Sequence, residues 1–166
     1  MNHVTIADIA ARAGVHETSI YRRWVTKEAL LLETAQEQTA DGVPQPDTGS
    51  FRGDLVALIL SLDTFVSSPI GGALLRVALT ASTVDGASAR EAFWLGRLSD
   101  SRVIIERARS RGEIRPTVPA ELLVQAVVGS VHLGVTFGGR RFDHERAQAL
   151  VDLVLSGAGM PSNHPH

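Results

Sequence analysis

The chain has no cysteine. Disulfides, thiolate zinc sites and a cysteine nucleophile are therefore excluded, and the composition fits a reducing, cytoplasmic setting. An excess of one charge is also missing, since 16 basic residues stand against 18 acidic ones for a formal charge of −2. That is not the footprint of a protein that coats nucleic acid, so any DNA contact has to come from a local patch. No apolar run is long enough to span a bilayer. The most lipid-like stretch, residues 122–138, is interrupted by Gln125, Ser130, His132 and Thr136, and it falls short of the ~20 apolar residues a spanning helix needs. It reads as a buried helix, and no membrane partner is expected. The N-terminus lacks a basic segment followed by an apolar run, so no signal peptide is expected. Enzyme signatures are missing as well: there is no GxSxG, HExxH or GxxxxGK[ST]. Neither His144-Glu145 nor His164-Pro165-His166 has the spacing of a metal site. No catalytic residue, cofactor or metal is expected.

What is present suits a globular protein, with 44% hydrophobic and 20% charged residues in a chain of 166. That length accommodates one compact domain, or a head of about 40 residues joined to a larger body. No internal repeat and no strand-like alternation stands out, so the fold is read as all-α. The front, residues 4–32, reads as two short helices across a tight turn with a third following. Thr5 is positioned to cap the first, with Asp8 three residues on as an acidic partner. Ile6, Ile9, Ala10 and Ala13 give that helix one apolar face. Gly14 tolerates the left-handed backbone of a sharp reversal, and Val15 is expected to plug the angle between the helices.

The second helix, about residues 16–24, is expected to bury Val15, Ile20 and Trp24 and to turn Glu17, Thr18, Tyr21 and Arg22 outward. A helix that enters the major groove needs short polar groups near its start for base edges, and Arg, Tyr or Lys at its margins for phosphates. Thr26 then caps the third helix, which puts Lys27 and the first amides where a phosphate can sit. Residues 1–31 carry four basic side chains (Arg12, Arg22, Arg23, Lys27) against three acidic ones (Asp8, Glu17, Glu28). The patch therefore depends on geometry rather than on bulk charge.

The runs Ile6-Ala7-Asp8-Ile9-Ala10, Ala13-Gly14-Val15, Ile20-Tyr21-Arg22-Arg23-Trp24 and Thr26-Lys27-Glu28-Ala29-Leu30 resemble the DNA-binding domain of the tetracycline-repressor (TetR) family of bacterial transcription regulators. The resemblance covers residues 5–30 in motif and spacing. It implies double-stranded DNA as a partner, Tyr21 and Lys27 as phosphate contacts, and His16, Glu17, Thr18 and Arg22 at positions that reach bases or backbone. Val25 stands where proline is common in the family, and Glu17 puts a negative charge where many relatives have none. Family heads are three-helix units whose first helix precedes this motif, yet only Met1-Asn2-His3-Val4 stand before it here. Either the chain begins late or the head is a trimmed variant.

The third helix is expected to end near Ala40, and residues 41–49 read as a linker by composition. The division expected is a helix-turn-helix DNA-binding head over 1–41, a helical ligand-binding and dimerisation body over 50–158, and a disordered tail over 159–166. In the body, Ser50 caps a helix with Leu55, Leu58, Ile59, Leu62, Phe65 and Val66 as its stripe. A shorter helix over 71–83 follows and is broken by Asp85-Gly86. A longer one aligns Trp94, Leu98, Ser101, Ile105 and Ala108, widened by Phe93 and Ile104. Next comes a helix over 119–137, apolar nearly all round with Pro119 in its first turn, and Asp143 caps the last. Between these two, Gly138-Gly139-Arg140-Arg141 reads as a helix-ending turn with solvated arginines, or as an anion cradle.

The last two helices carry more apolar surface than a small body covers. Leu122, Ala126, Gly129, Ser130, Leu150, Val151, Val154 and Leu155 are therefore candidates for a homodimer interface, and the resemblance implies the same pairing. Candidates for a ligand pocket are Phe65, Arg76, Phe93, Trp94, Leu98, His132 and Phe137, although aromatics at helical spacing and a lone histidine are equally what a plain core contains. Arg76 either meets a ligand carboxylate or pairs with an acidic side chain across the body. The function expected is a ligand-responsive repressor, a homodimer on a palindromic operator, with an unknown small-molecule effector. The rival is a dimeric helical small-molecule-binding protein that has lost DNA binding.

Overall fold

The computed structural model describes residues 5–80 and 84–156, with residues 84–86 as backbone alone. The expectations about residues 1–4 and about a disordered tail over 159–166 lie outside the described residues. Those described form helices and no strand: α1 (Ile6–Ala13), α2 (Glu17–Arg23), α3 (Lys27–Gly42), α4 (Phe51–Ser67), α5 (Pro69–Thr80), α6 (Val84–Ser110), α7 (Ala120–Thr136) and α8 (His144–Ser156).

α1 begins in a reciprocal cap, in which the Thr5 hydroxyl accepts the Asp8 N–H at 3.1 Å and the Thr5 N–H donates to the Asp8 carboxylate at 2.8 Å. The Thr5 N–H and then the Thr5 hydroxyl, which donates to the same carboxylate at 2.7 Å, hold the Asp8 carboxyl below its ordinary pKa. The helix ends where Gly14 takes φ 67°, which lets the Val15 N–H reach the Ala10 carbonyl at 3.1 Å. Ile6, Ala10 and Ile20 are buried together, with Ile9, Trp24 and Leu30 packed around them. Val15 does not plug the turn and is 47% exposed. The contact between α1 and α2 is made by Ile6, Ala10 and Ile20, and Val15 falls outside that cluster.

α3 runs on to Gly42 and roots the head in the body, because Leu32 and Ala35 are buried against Leu74 and Ala78 of α5 and Phe93 of α6. α4 is the centre of the larger core. Its Leu55, Ile59 and Leu62 pack with Ile104 and Ile105 of α6, Val124, Val127 and Val131 of α7, and Val151 of α8. Each such buried aliphatic side chain stabilises the fold by about 1.5–3 kcal/mol relative to exposure.

Of the linker expected over residues 41–49, the first two residues belong to α3 and the rest packs against the body. Val43 is buried in the core, and the fully buried Asp54 carboxylate accepts the Thr48 N–H at 2.6 Å, the Thr48 hydroxyl at 2.8 Å and Arg111 at 3.1 Å. A buried carboxylate has to be hydrogen-bonded, and here the connection supplies the donors. Arg107 adds a bond to the Pro46 carbonyl at 2.9 Å.

α5 starts at Pro69 rather than at residue 71, with the Ser68 hydroxyl accepting the Gly71 N–H at 3.0 Å. It leaves α4 at a bend of 93°. Asp85-Gly86 does not break a helix but lies in the first turn of α6, which is 27 residues long. One glycine there costs about 1 kcal/mol, against the buried Phe93, Ile104, Ile105 and Ala108 further along. Asp143 caps α8 by accepting the Arg146 N–H at 2.9 Å. Arg141 stays mostly exposed, and it also donates to the buried Asp63 at 2.8 Å, which ties the connection between α7 and α8 to α4. No single described helix is long and apolar enough to cross a membrane.

Candidate nucleic-acid interface and ligand cavity

On α2, residues 17, 18, 21 and 22 fall at i, i+1, i+4 and i+5, which puts them on one face of the helix. Glu17, Thr18, Tyr21 and Arg22 are all exposed there, while Ile20 is buried. His16 occupies the N-cap position without a side-chain cap bond and is exposed too. The helix is held from behind by a clamp that the sequence did not announce. The Trp24 indole N–H donates to Glu33 of α3 at 2.6 Å, Arg23 donates to the other carboxylate oxygen at 2.5 Å, and the Arg23 guanidinium lies 4.8 Å over the Trp24 ring. These two donors, Trp24 first, hold the Glu33 carboxyl below its usual pKa. Nothing periodic links positions nine and ten residues apart across a turn, so Glu33 gave no signal. Thr26 caps α3 by accepting the Ala29 N–H at 3.1 Å, and Lys27, half-buried, is the first residue of that helix.

A cavity of about 280 Å³ opens in the body between α3, α4, α5, α6 and α7. Phe65, Phe93, Trp94, Leu98 and His132 line it, as expected positions for a pocket. Arg76 and Phe137 do not. Arg76 is exposed on the outer side of α5, and Phe137, just past α7, is 79% exposed. The charged side chain on the wall is instead Arg97, one turn beyond Phe93 and Trp94 on α6, and Gln45 joins it from the connection before α4. Phe93 and His132 both meet the Trp94 ring edge-on, at 5.0 and 5.3 Å, and the Trp94 N–H reaches the Ala78 carbonyl at 3.3 Å. Burial pushes the His132 pKa down to about 4, so its imidazole is neutral at neutral pH. Arg97 is paired with Asp100 and, being desolvated, has its pKa lowered as well. Phe65 and Trp94 pack against both large core clusters, so the cavity sits on the seam between them, and Thr39 of α3 forms part of its wall.

The residues proposed for a dimer interface do not share one fate. Leu122, Ala126 and Leu155 are exposed, and Ser130, Leu150 and Val154 are half-buried. Gly129 faces the cavity. Val151 is wholly buried inside the protomer, packed under α4, and is no surface residue. Leu133 and Phe137 are exposed and, by their spacing from Leu122 and Ala126, continue the same side of α7.

A family model described as "Tetracyclin repressor-like, C-terminal domain" matches residues 45–154, and one described as "Bacterial regulatory proteins, tetR family" matches residues 1–34. The chain belongs to the tetracycline-repressor family. It is 37% identical over 158 residues to the HTH-type transcriptional regulator AqdR of Rhodococcus erythropolis, covering 95% of this chain and 76% of that protein. It is 26% identical to the uncharacterised regulator YdeS of Bacillus subtilis, covering 93% of this chain and 79% of the other. Among solved structures it is similar to the TetR family transcription regulator SCO0332, with a TM-score of 0.83 and 28% identity, covering 96% of this chain and 89% of that one. PfmR of Thermus thermophilus, at 16% identity and a TM-score of 0.59, shares the fold over 95% of this chain and 90% of its own. This TetR-family chain is a DNA-binding transcription regulator and not an enzyme.

Proposed function

We propose that this TetR-family regulator is a cytoplasmic, homodimeric repressor that sits on a palindromic operator until a small, mostly apolar effector fills the cavity of its body. The observation that carries the reading is the double attachment of α3. Its first residue, Lys27, stands beside the reading helix, and its Thr39 lies on the cavity wall. Twelve residues separate the two, about 18 Å of rigid helix at ~1.5 Å per residue. A ligand that pushes on the seam tilts α3, and the head moves with it. In the dimer the two reading helices stand about 34–36 Å apart, one DNA turn, so a modest tilt takes them out of register. The effector has to prefer the released shape by about 5 kcal/mol to empty the operator.

In this division, residues 1–41 read DNA, with Tyr21 and Lys27 on phosphates and His16, Glu17, Thr18 and Arg22 toward bases or backbone, and residues 50–158 sense and pair. The test is retention of DNA from upstream of the gene across a salt series. Tyr21→Ala and Lys27→Ala should each weaken it about tenfold with an unchanged solution mass, and the lysine variant should flatten the salt slope by about one. Unchanged affinity in both variants removes the assignment.

A further inference from the structure

The cavity is not closed all round. The residues that α4 and α5 give to its wall are buried, apart from the half-buried Phe65, and so is Thr39 of α3. The wall made by α6 and α7 is different. Trp94 and Leu98 on α6 are half-buried there, as are Val128, Gly129 and His132 on α7, and Gln125 of α7 is the one exposed side chain among the described lining residues. A Cβ built on Gly129 meets no atom within 4 Å. The mouth of the cavity therefore lies between α6 and α7, with Gln125 and Gly129 as its sill.

That sill borders the uncovered apolar side of α7. Gln125 is three residues from Leu122, and Gly129 is three from Ala126 and four from Leu133, so each neighbours the strip on the helix surface at about 5–6 Å. Leu122, Ala126 and Leu133 are all exposed. A helix with its side chains is ~10–12 Å across, and packed helices stand ~8–10 Å apart. One seated on the strip therefore overlies Gln125 and Gly129 too, and the bare glycine lets it lie close. A second copy suits the place, because a two-fold axis sets apolar strip on apolar strip. Glu121 is the one charged residue of α7 while His132 is neutral, so the pair brings no row of like charges together.

We propose that α7 of a second copy roofs the mouth, so that the effector site is complete only in the pair and effector binding and pairing strengthen each other. This rests on the homodimer and on the cavity being the effector site. An apolar molecule in a lone protomer faces water at the mouth, and the partner's helix removes that water. By reciprocity, the factor the roof adds to each site's affinity is returned to the pairing once per site.

The chain has no cysteine of its own, so a single thiol at the sill reports on the mouth. In Gln125→Cys, alkylation by a maleimide should be at least tenfold slower where light scattering shows pairs than in the same chain carrying Leu133→Glu and Phe137→Glu to keep protomers apart. Neither of those two positions lines the cavity. A dilution series of Gln125→Cys alone makes the same comparison without the added charges. N-phenyl-1-naphthylamine, a neutral apolar fluorophore, should bind parent pairs about tenfold tighter than lone protomers, and at saturation it should lower the dimer dissociation constant about a hundredfold, tenfold for each of two sites. Equal alkylation rates in pairs and lone protomers, or equal probe affinity in both, overturns the roof and leaves the cavity and homodimer readings standing. A chain that stays a lone protomer throughout overturns the roof and the homodimer together, and a probe that binds neither form overturns the roof together with the cavity reading.

Discussion

His132 is held uncharged by its surroundings, with its ring centre 5.3 Å from that of Trp94 and its pKa down from 6.5 to about 4 through burial. Between these two pKa values the unfolded chain takes up a proton that the folded chain refuses. Stability is therefore full above pH 6.5 and falls as the pH drops toward 4. At pH 5 the loss is about 2 kcal/mol before solvent screening. Urea unfolding at pH 7 and pH 5 should show it in the parent and not in His132→Leu; equal loss in both proteins would place the acid sensitivity elsewhere. The same wall shows where the sequence was readable and where it was not. Phe65, Phe93, Trp94, Leu98 and His132 stood out as apolar or isolated polar side chains on buried faces. Arg97 did not, because periodicity identifies a helix's inner face by its apolar members and says nothing of which arginine is drawn in after them. Arg76, flanked by leucine and valine, carried the louder signal and points outward.

The junction between α4 and α5 leaves no room for a side chain at Gly71. A Cβ on Gly71 would collide with the Phe65 carbonyl oxygen, whereas one on Gly129 of α7 would meet nothing within 4 Å. Gly71→Ala should therefore destabilise by about 2 kcal/mol or more, since backbone cannot step aside as a flexible side chain can. Gly129→Ala should be neutral or stabilising by up to about 1 kcal/mol, because alanine is the better helix former. Denaturant midpoints of the two variants check this, and a reversed order would mean that the 93° bend is not fixed by this contact. The helices, their caps at Thr5, Thr26, Ser50 and Asp143, and the glycine turn after α1 were legible because each is a local matter of neighbouring residues. The packed connection over 43–50 was not. Its order comes from Asp54, which is buried only because Arg111 reaches it from far along the chain.

Leu122, Leu133 and Phe137 leave an apolar strip on α7 that the protomer does not cover. Along the sequence α7 is apolar nearly all round, so the pattern could not say which side looks inward to α4 and the cavity and which looks out. Phe137 was assigned to the pocket for that reason. In the proposed dimer the strip meets its symmetry mate. Leu133→Glu combined with Phe137→Glu should then give lone protomers at concentrations where the parent pairs, and DNA retention should fall at least tenfold although the head is untouched. Light scattering and retention measured on one preparation check both; pairing that survives two buried charges would move the interface off α7. The two tryptophans divide themselves between the head and the body, Trp24 bound to Glu33 behind the reading helix and Trp94 on the cavity wall. Each half of the molecule thus carries its own natural fluorophore, and exchanging one indole for phenylalanine leaves the other to report, without any attached dye, on groove engagement or on effector occupancy alone.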